Sequence, residues 1–136
     1  MRIQLLNTEH VLHINQQVCL REKQTSTCLD IGKVESALAA AFYPGSPPFQ
    51  HGGIATVAGA LCYFLTKNHA FLDGNKRTAG IASAALLDMN GYCLQYPIDE
   101  KNNYNAWASV IEKVACSALS KDEIMAWYNQ HKNIKT

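Results

Sequence analysis

Two apolar helical segments separated by a short polar loop constrain this chain more than anything else in it. Residues 54 to 68 carry Ile54, Val57, Ala58, Ala60, Leu61, Phe64 and Leu65, apolar on nearly every side of a helix. Such a helix has no polar face to offer water, so the pattern predicts a central, buried element. Residues 75 to 90 read as a second helix, rich in alanine, with Ile81, Ala82, Ala84, Ala85, Leu86, Leu87 and Met89. Its small side chains permit close helix packing, and Asn90-Gly91 is a stop signal. The rest of the chain has to pack around this pair.

The flanking pattern is also helical. A helix is predicted from about Thr8 to Lys23, capped by Asn7 or Thr8, with Val11, Leu12, Ile14, Val18 and Cys19 on its apolar face. Gln24 to Gly32 is polar and turn-rich. A second helix spans about Lys33 to Phe42, with Val34, Ala37, Leu38 and Ala41 at helical spacing. Tyr92 to Pro97 is a short extended piece, and Tyr104 to Leu119 is a helix carrying Trp107, Val110, Ile111, Val114 and Ala118. Ser120-x-x-Glu123 is a capping box that opens a last helix, to about His131. Between the second and third helices, Pro44, Gly45, Pro47, Pro48, Gly52 and Gly53 forbid regular helix from Tyr43 to Gly53. That length suits a functional flap as well as it suits a plain surface loop. The expected fold class is all-α: a compact bundle of about six helices with almost no strand. No linker or repeat divides it, so residues 1–136 are expected to form a single domain.

Composition removes several functional classes. A chain of 136 residues that is 48% hydrophobic and 17% charged can bury an adequate core. Its net charge of +1 offers no field for a polyanion, so no direct nucleic-acid partner is expected. No apolar run approaches the roughly eighteen residues of a membrane span. Met1 to Thr8 lacks the apolar stretch of a signal peptide. Cys19, Cys28, Cys62, Cys93 and Cys116 form no CxxC pair, which leaves a structural zinc site unsupported. They read as small buried thiols in a reducing compartment, and a cytoplasmic location is expected.

The loop between the two central helices holds the chemistry. His69 to Arg77 collects an imidazole, a carboxylate, a turn glycine, an amide and two cations. Asp73-Gly74-Asn75 is turn chemistry directly before a helix. A helix N-terminus has unpaired N–H groups and a partial positive charge, so it forms an anion site. Lys76 and Arg77 oppose the dipole there, which makes sense if a polyphosphate overcompensates; otherwise they are two solvated surface cations. Asp73 beside phosphates can hold Mg²⁺, which takes one or two carboxylates with phosphate and water oxygens; its other role is a helix cap. His69 can take a proton from a hydroxyl that attacks phosphorus. Phe71 is an apolar anchor. His10, His13 and His131 have no such neighbours, and His51 sits where a flap would touch ligand.

These residues carry a resemblance. His69-x-Phe71-x-Asp73-Gly74-Asn75-Lys76-Arg77 resembles the signature of Fic/Doc (Fido) proteins, H-x-F-x-[D/E]-[G/A]-N-[G/K]-R. Lys76, where AMP-transferring Fic enzymes usually carry Gly, is similar to the death-on-curing (Doc) branch. So are Lys67-Asn68, Val34-Glu35-Ser36-Ala37-Leu38-Ala39, and the segment from Ala115 to Ile124. The likeness covers nearly the full chain; the nine-residue motif is specific and the flanking similarities are individually weak.

The resemblance implies an all-α fold with the motif bridging two central helices. It also implies a flap, within Tyr43 to Gly53, that aligns a target peptide by strand-like pairing. Fic enzymes move AMP from ATP onto a protein Ser, Thr or Tyr hydroxyl. Doc proteins transfer the γ-phosphate instead, to the elongation factor that delivers aminoacyl-tRNA. By position, His69 is the general base and Asp73 the Mg²⁺ ligand. Asn75, Lys76, Arg77 and the backbone around Gly74 bind the phosphates of ATP, with Lys67 beside them. Glycine at position 76 would let backbone approach a phosphate closely, whereas Lys76 adds bulk and a point charge. That favours kinase chemistry over AMP transfer. The inhibitory [S/T]-x-x-x-E-[G/N] helix of many Fic proteins has no match here, so the implied regulator is a separate Phd-like antitoxin.

Overall fold

The computed structural model describes residues 2–135. Six helices build it: α1 (Thr8–Arg21), α2 (Ile31–Phe42), α3 (Ile54–Asn68), α4 (Asn75–Met89), α5 (Ala106–Ala115) and α6 (Lys121–His131). The all-α class expected from the patterning is what the chain adopts. α3 is the hub, packed against α2, α4, α5 and α6, as its all-round apolar surface requires. Val57, Ala58, Ala60, Leu61 and Cys62 on this helix are fully buried. Gly59 permits a close approach to α6, since a Cβ there would lie 2.9 Å from the Met125 Cα and 3.0 Å from the Ile124 carbonyl. Among the described residues no helix is long and apolar enough to cross a membrane.

Helix ends account for most departures from the predicted boundaries. α1 stops at Arg21, not Lys23, because Gln24 N–H turns back to the Cys19 carbonyl at 2.8 Å with Lys23 left-handed at φ 57°. α5 closes the same way: Ala118 N–H reaches the Lys113 carbonyl at 2.7 Å with Ser117 at φ 62°. Both are Schellman-type ends in which a non-glycine residue takes the position usually given to glycine, so the usual stop signal is missing. α2 begins two residues early because Asp30 caps it, accepting from Gly32 N–H at 3.0 Å. Residues 104 and 105 are not helical. They form β3 (Tyr104–Asn105), paired with β2 (Ile98–Asp99), while Asn105 caps α5. The extended piece after α4 is β1 (Tyr92–Leu94), and it pairs antiparallel with β4 (Lys132–Ile134), a strand that sequence patterning missed.

The segment from Tyr43 to Gly53 folds back on its own neighbours. Phe49 is buried, and His51 Nε2 lies 3.1 Å from the Ala40 carbonyl with its ring against Phe64. The expectation of uniformly buried thiols is corrected. All five cysteines are free, but only Cys19 and Cys62 are buried, while Cys28 and Cys116 are exposed. Both of the latter lie on connections that cross the surface, where no neighbouring element covers them.

A polar knot sits inside the helical core. Tyr128 of α6 is fully buried, its hydroxyl 2.7 Å from Ser83 Oγ of α4 and accepting from Trp107 Nε1 of α5 at 2.9 Å. Burial pushes the nearby Cys62 thiol from its ordinary 9.0 up to about 11, and burial likewise raises the Tyr128 phenol well above its usual value. Both acids are held neutral in the folded state. Once unfolded, Cys62 ionises near its ordinary value, so between pH 9.0 and about 11 the unfolded chain holds fewer protons. This contribution to stability is therefore whole below the unfolded pKa and is lost as pH rises through the folded one. Melting temperature is expected to fall across that window, and less steeply in Cys62→Ala. Parallel slopes for the two proteins would exclude this origin.

Candidate active site

α3 ends at Asn68 and hands the chain to His69, which takes the left-handed conformation at φ 50°, ψ 54°. A non-glycine residue there is sparsely populated and has to be held by its surroundings. Three sets of contacts hold the loop it begins. Ala70 and Phe71 are both 2% exposed, so Phe71 is the anchor its sequence position suggested. A backbone ribbon runs alongside, with Leu29 N–H donating to the Ala70 carbonyl at 2.8 Å and Leu72 N–H to the Thr27 carbonyl at 2.9 Å. From below, Asn15 of α1 donates to the Asp73 carbonyl at 2.9 Å and to Thr78 Oγ1 at 3.1 Å.

The loop then turns into α4 through Gly74, at φ 79°. No side chain caps this helix, and among the described residues the Asn75, Lys76 and Arg77 N–H groups find no protein acceptor. The helix N-terminus is open, as an anion site needs.

Each expected site residue has a definite place. Lys67, His69, Asp73, Gly74, Asn75, Lys76 and Arg77 all line one cavity of about 580 Å³ at the junction of α3 and α4. That size is within the range of small-molecule sites. His69 is exposed to it and Asp73 half-buried. Asn75 is buried, and its amide is committed to the loop: Oδ1 accepts from Phe71 N–H at 3.0 Å and Nδ2 donates to the Phe71 carbonyl at 2.8 Å. The Asn75 side chain thus clamps the loop, while its backbone N–H has no acceptor among the described residues. Its Nδ2 also faces His69 Nε2 at 3.5 Å.

The three cations have exposed partners. Lys76 Nζ lies 2.6 Å from Glu112 of α5, Arg77 Nη1 lies 2.7 Å from Glu22 at the end of α1, and Lys67 Nζ donates to Ser117 Oγ at 2.5 Å. Exposed ion pairs contribute only about 0–1 kcal/mol, so a polyphosphate can compete for these side chains. Residues 43–53 do not line the cavity, and His51 is committed elsewhere.

The donor set suits magnesium bound with phosphate. Among the described residues no cluster of three or more His, Cys, Asp or Glu could hold a metal unaided. Asp73 offers one carboxylate beside open N–H donors and cations, which matches an ion completed by phosphate and water oxygens. Sequence reasoning overlooked Asn15 and Glu22. Asn15 had a signal, because it interrupts the buried face of Val11, Val18 and Cys19. Glu22 had none, since an acid at a helix end looks like any solvated residue.

A family model described as Fic/DOC matches residues 5–87, from just before α1 to near the end of α4. The match takes in every residue named at the cavity except Glu112 and Ser117. A search of curated proteins finds no match.

Proposed function

This chain belongs to the Fic/DOC family of protein-modifying transferases, and from that premise we propose that it is a Doc-like toxin. In this reading it transfers the γ-phosphate of ATP to a hydroxyl of a target protein. The observation that carries the phosphate assignment is Lys76. A cationic side chain lines the cavity at the motif position where AMP-transferring relatives usually carry glycine.

The site supports these roles. The hydroxyl of the target attacks the γ-phosphorus while its proton passes to a ring nitrogen of His69. A bond forms from the hydroxyl oxygen to phosphorus, the β–γ bridging bond breaks, and ADP leaves. The N–H groups at the start of α4, with Lys76 and Arg77, take the charge on the phosphate oxygens, and Lys67 lies along the same cavity wall. Asp73 would hold Mg²⁺, which when bound supplies charge neutralisation at the polyphosphate. Catalysis then rests on positioning and charge stabilisation. A translation elongation factor is the proposed target, and the compartment is the cytoplasm. A Phd-like antitoxin is the proposed regulator, because the chain contains no [S/T]-x-x-x-E-[G/N] segment to silence itself.

ATP labelled separately at the α and γ positions, incubated with the protein and a lysate, tests the reading. The expected result is label from γ only, with a target gaining the mass of one phosphate. Label from α only, with a gain of one AMP, would replace the kinase reading by AMP transfer.

A further inference from the structure

We propose that Asn15 is a positioning residue that aims the Gly74 N–H into the cavity as an anion donor. The inference rests on the phosphate-transfer reading, although its core is geometric. Asn15 is fully buried, 58 residues before Asp73 in sequence, and all of its amide's hydrogen-bonding capacity is engaged. Nδ2 donates to the Asp73 carbonyl at 2.9 Å and to Thr78 Oγ1 at 3.1 Å. Oδ1 accepts from Ser26 Oγ at 2.7 Å and faces Cys19 Sγ at 3.7 Å. The orientation of the amide is not free. A carbonyl oxygen can only accept, so the atom that faces the Asp73 carbonyl must be the nitrogen.

The consequence passes through one peptide plane. The bond from Asp73 to Gly74 is trans, the cis bonds among the described residues being Tyr43-Pro44 and Pro47-Pro48. In a trans peptide the C=O and the following N–H point in opposite directions. Drawing the Asp73 carbonyl down onto Asn15 therefore turns the Gly74 N–H away from α1. Gly74 lines the cavity, and its N–H has no acceptor among the described residues. It thereby joins the open N–H groups of Asn75, Lys76 and Arg77. The same amide holds Thr78, whose N–H makes the first bond of α4, to the Gly74 carbonyl at 2.9 Å. One side chain thus sets both the loop peptide and the helix start.

Two measurements test this with tripolyphosphate as the probe. In the wild-type protein the Gly74 amide proton is expected to move downfield in NMR spectra as the anion is added. A Gly74 resonance that stays put while tripolyphosphate binds would overturn the proposal without any variant. In Asn15→Leu an uncharged side chain of similar size replaces the amide and donates nothing to the Asp73 carbonyl. Calorimetry is expected to give affinity for tripolyphosphate lowered about tenfold or more, the effect of losing a hydrogen bond to a charged group. Tyr128→Phe, which disturbs the core away from the site, is the control for destabilisation alone, and its affinity is expected to stay at the wild-type value. Equal losses in the two variants, or none in Asn15→Leu, would assign Asn15 a merely structural role. Failure of the transfer reading looks different: the wild type would move no label from ATP while Gly74 still responded to the anion.

Discussion

His69→Ala is expected to lower the rate of the proposed phosphoryl transfer by about 10²–10⁴-fold, the usual contribution of a positioned base. Nucleotide binding and the fold are expected to survive. The imidazole is exposed at the end of α3, and its one polar contact among the described residues is the 3.5 Å approach to Asn75. Little packing is lost with it, so the change in stability should lie within about 0.5 kcal/mol. His69→Asn is the sharper companion, because asparagine tolerates the left-handed backbone of residue 69 while offering no basic nitrogen. Both variants should bind Mg-ATP with affinity close to wild type yet transfer almost no label. Either one retaining more than about a tenth of wild-type transfer would remove His69 from the role of base.

Gly74→Ala is expected to damage fold and site together. Residue 74 has φ +79°, where a side chain costs about 1–3 kcal/mol. The added Cβ would also lie 3.1 Å from Val18 Cγ1 and 3.2 Å from Asn15 Nδ2, an overpacking of about 1–3 kcal/mol. Together these predict roughly 2–6 kcal/mol of destabilisation and a melting temperature lower by roughly 10 °C or more. Relief of the clash from the α1 side through Val18→Ala should restore part of the loss, so the double variant is expected to be less damaged than the sum of the two single ones. Thermal melting of the four proteins decides the matter. A Gly74→Ala variant that melts with the wild type would show that the loop relaxes around the new methyl group, and the close seating of Gly74 on α1 would cease to explain its presence.

Much of this architecture was legible because it depends on local rules. An apolar surface on every side of Ile54 to Asn68 leaves burial as the only stable placement, and α3 is indeed the hub. Turn chemistry at Asp73-Gly74 before an alanine-rich run marks both an open helix N-terminus and the loop that feeds it. Boundaries failed where a rule has an uncommon variant. Lys23 and Ser117 close α1 and α5 in the left-handed conformation without glycine, and Asp30 caps a helix whose second residue is Gly32. β4 was invisible because Lys132 to Ile134 becomes a strand only by pairing with β1, about forty residues earlier.

The chemistry of the motif belongs to the sequence. An imidazole, a carboxylate and two cations beside a helix start have the same character in any fold, and residue type and spacing suffice to identify them. Their arrangement required the tertiary structure. Asn75 reads in sequence as a phosphate ligand, yet the folded loop turns its amide onto Phe71 and leaves its backbone N–H to the cavity. Asn15 reads as a polar residue out of place on an apolar face, and only the packing of α1 beneath the loop brings it to Asp73. The physical reason is that hydrogen bonds are short-ranged and directional. Which polar groups meet across 58 residues, and which are left free for a ligand, is settled only when the helices dock.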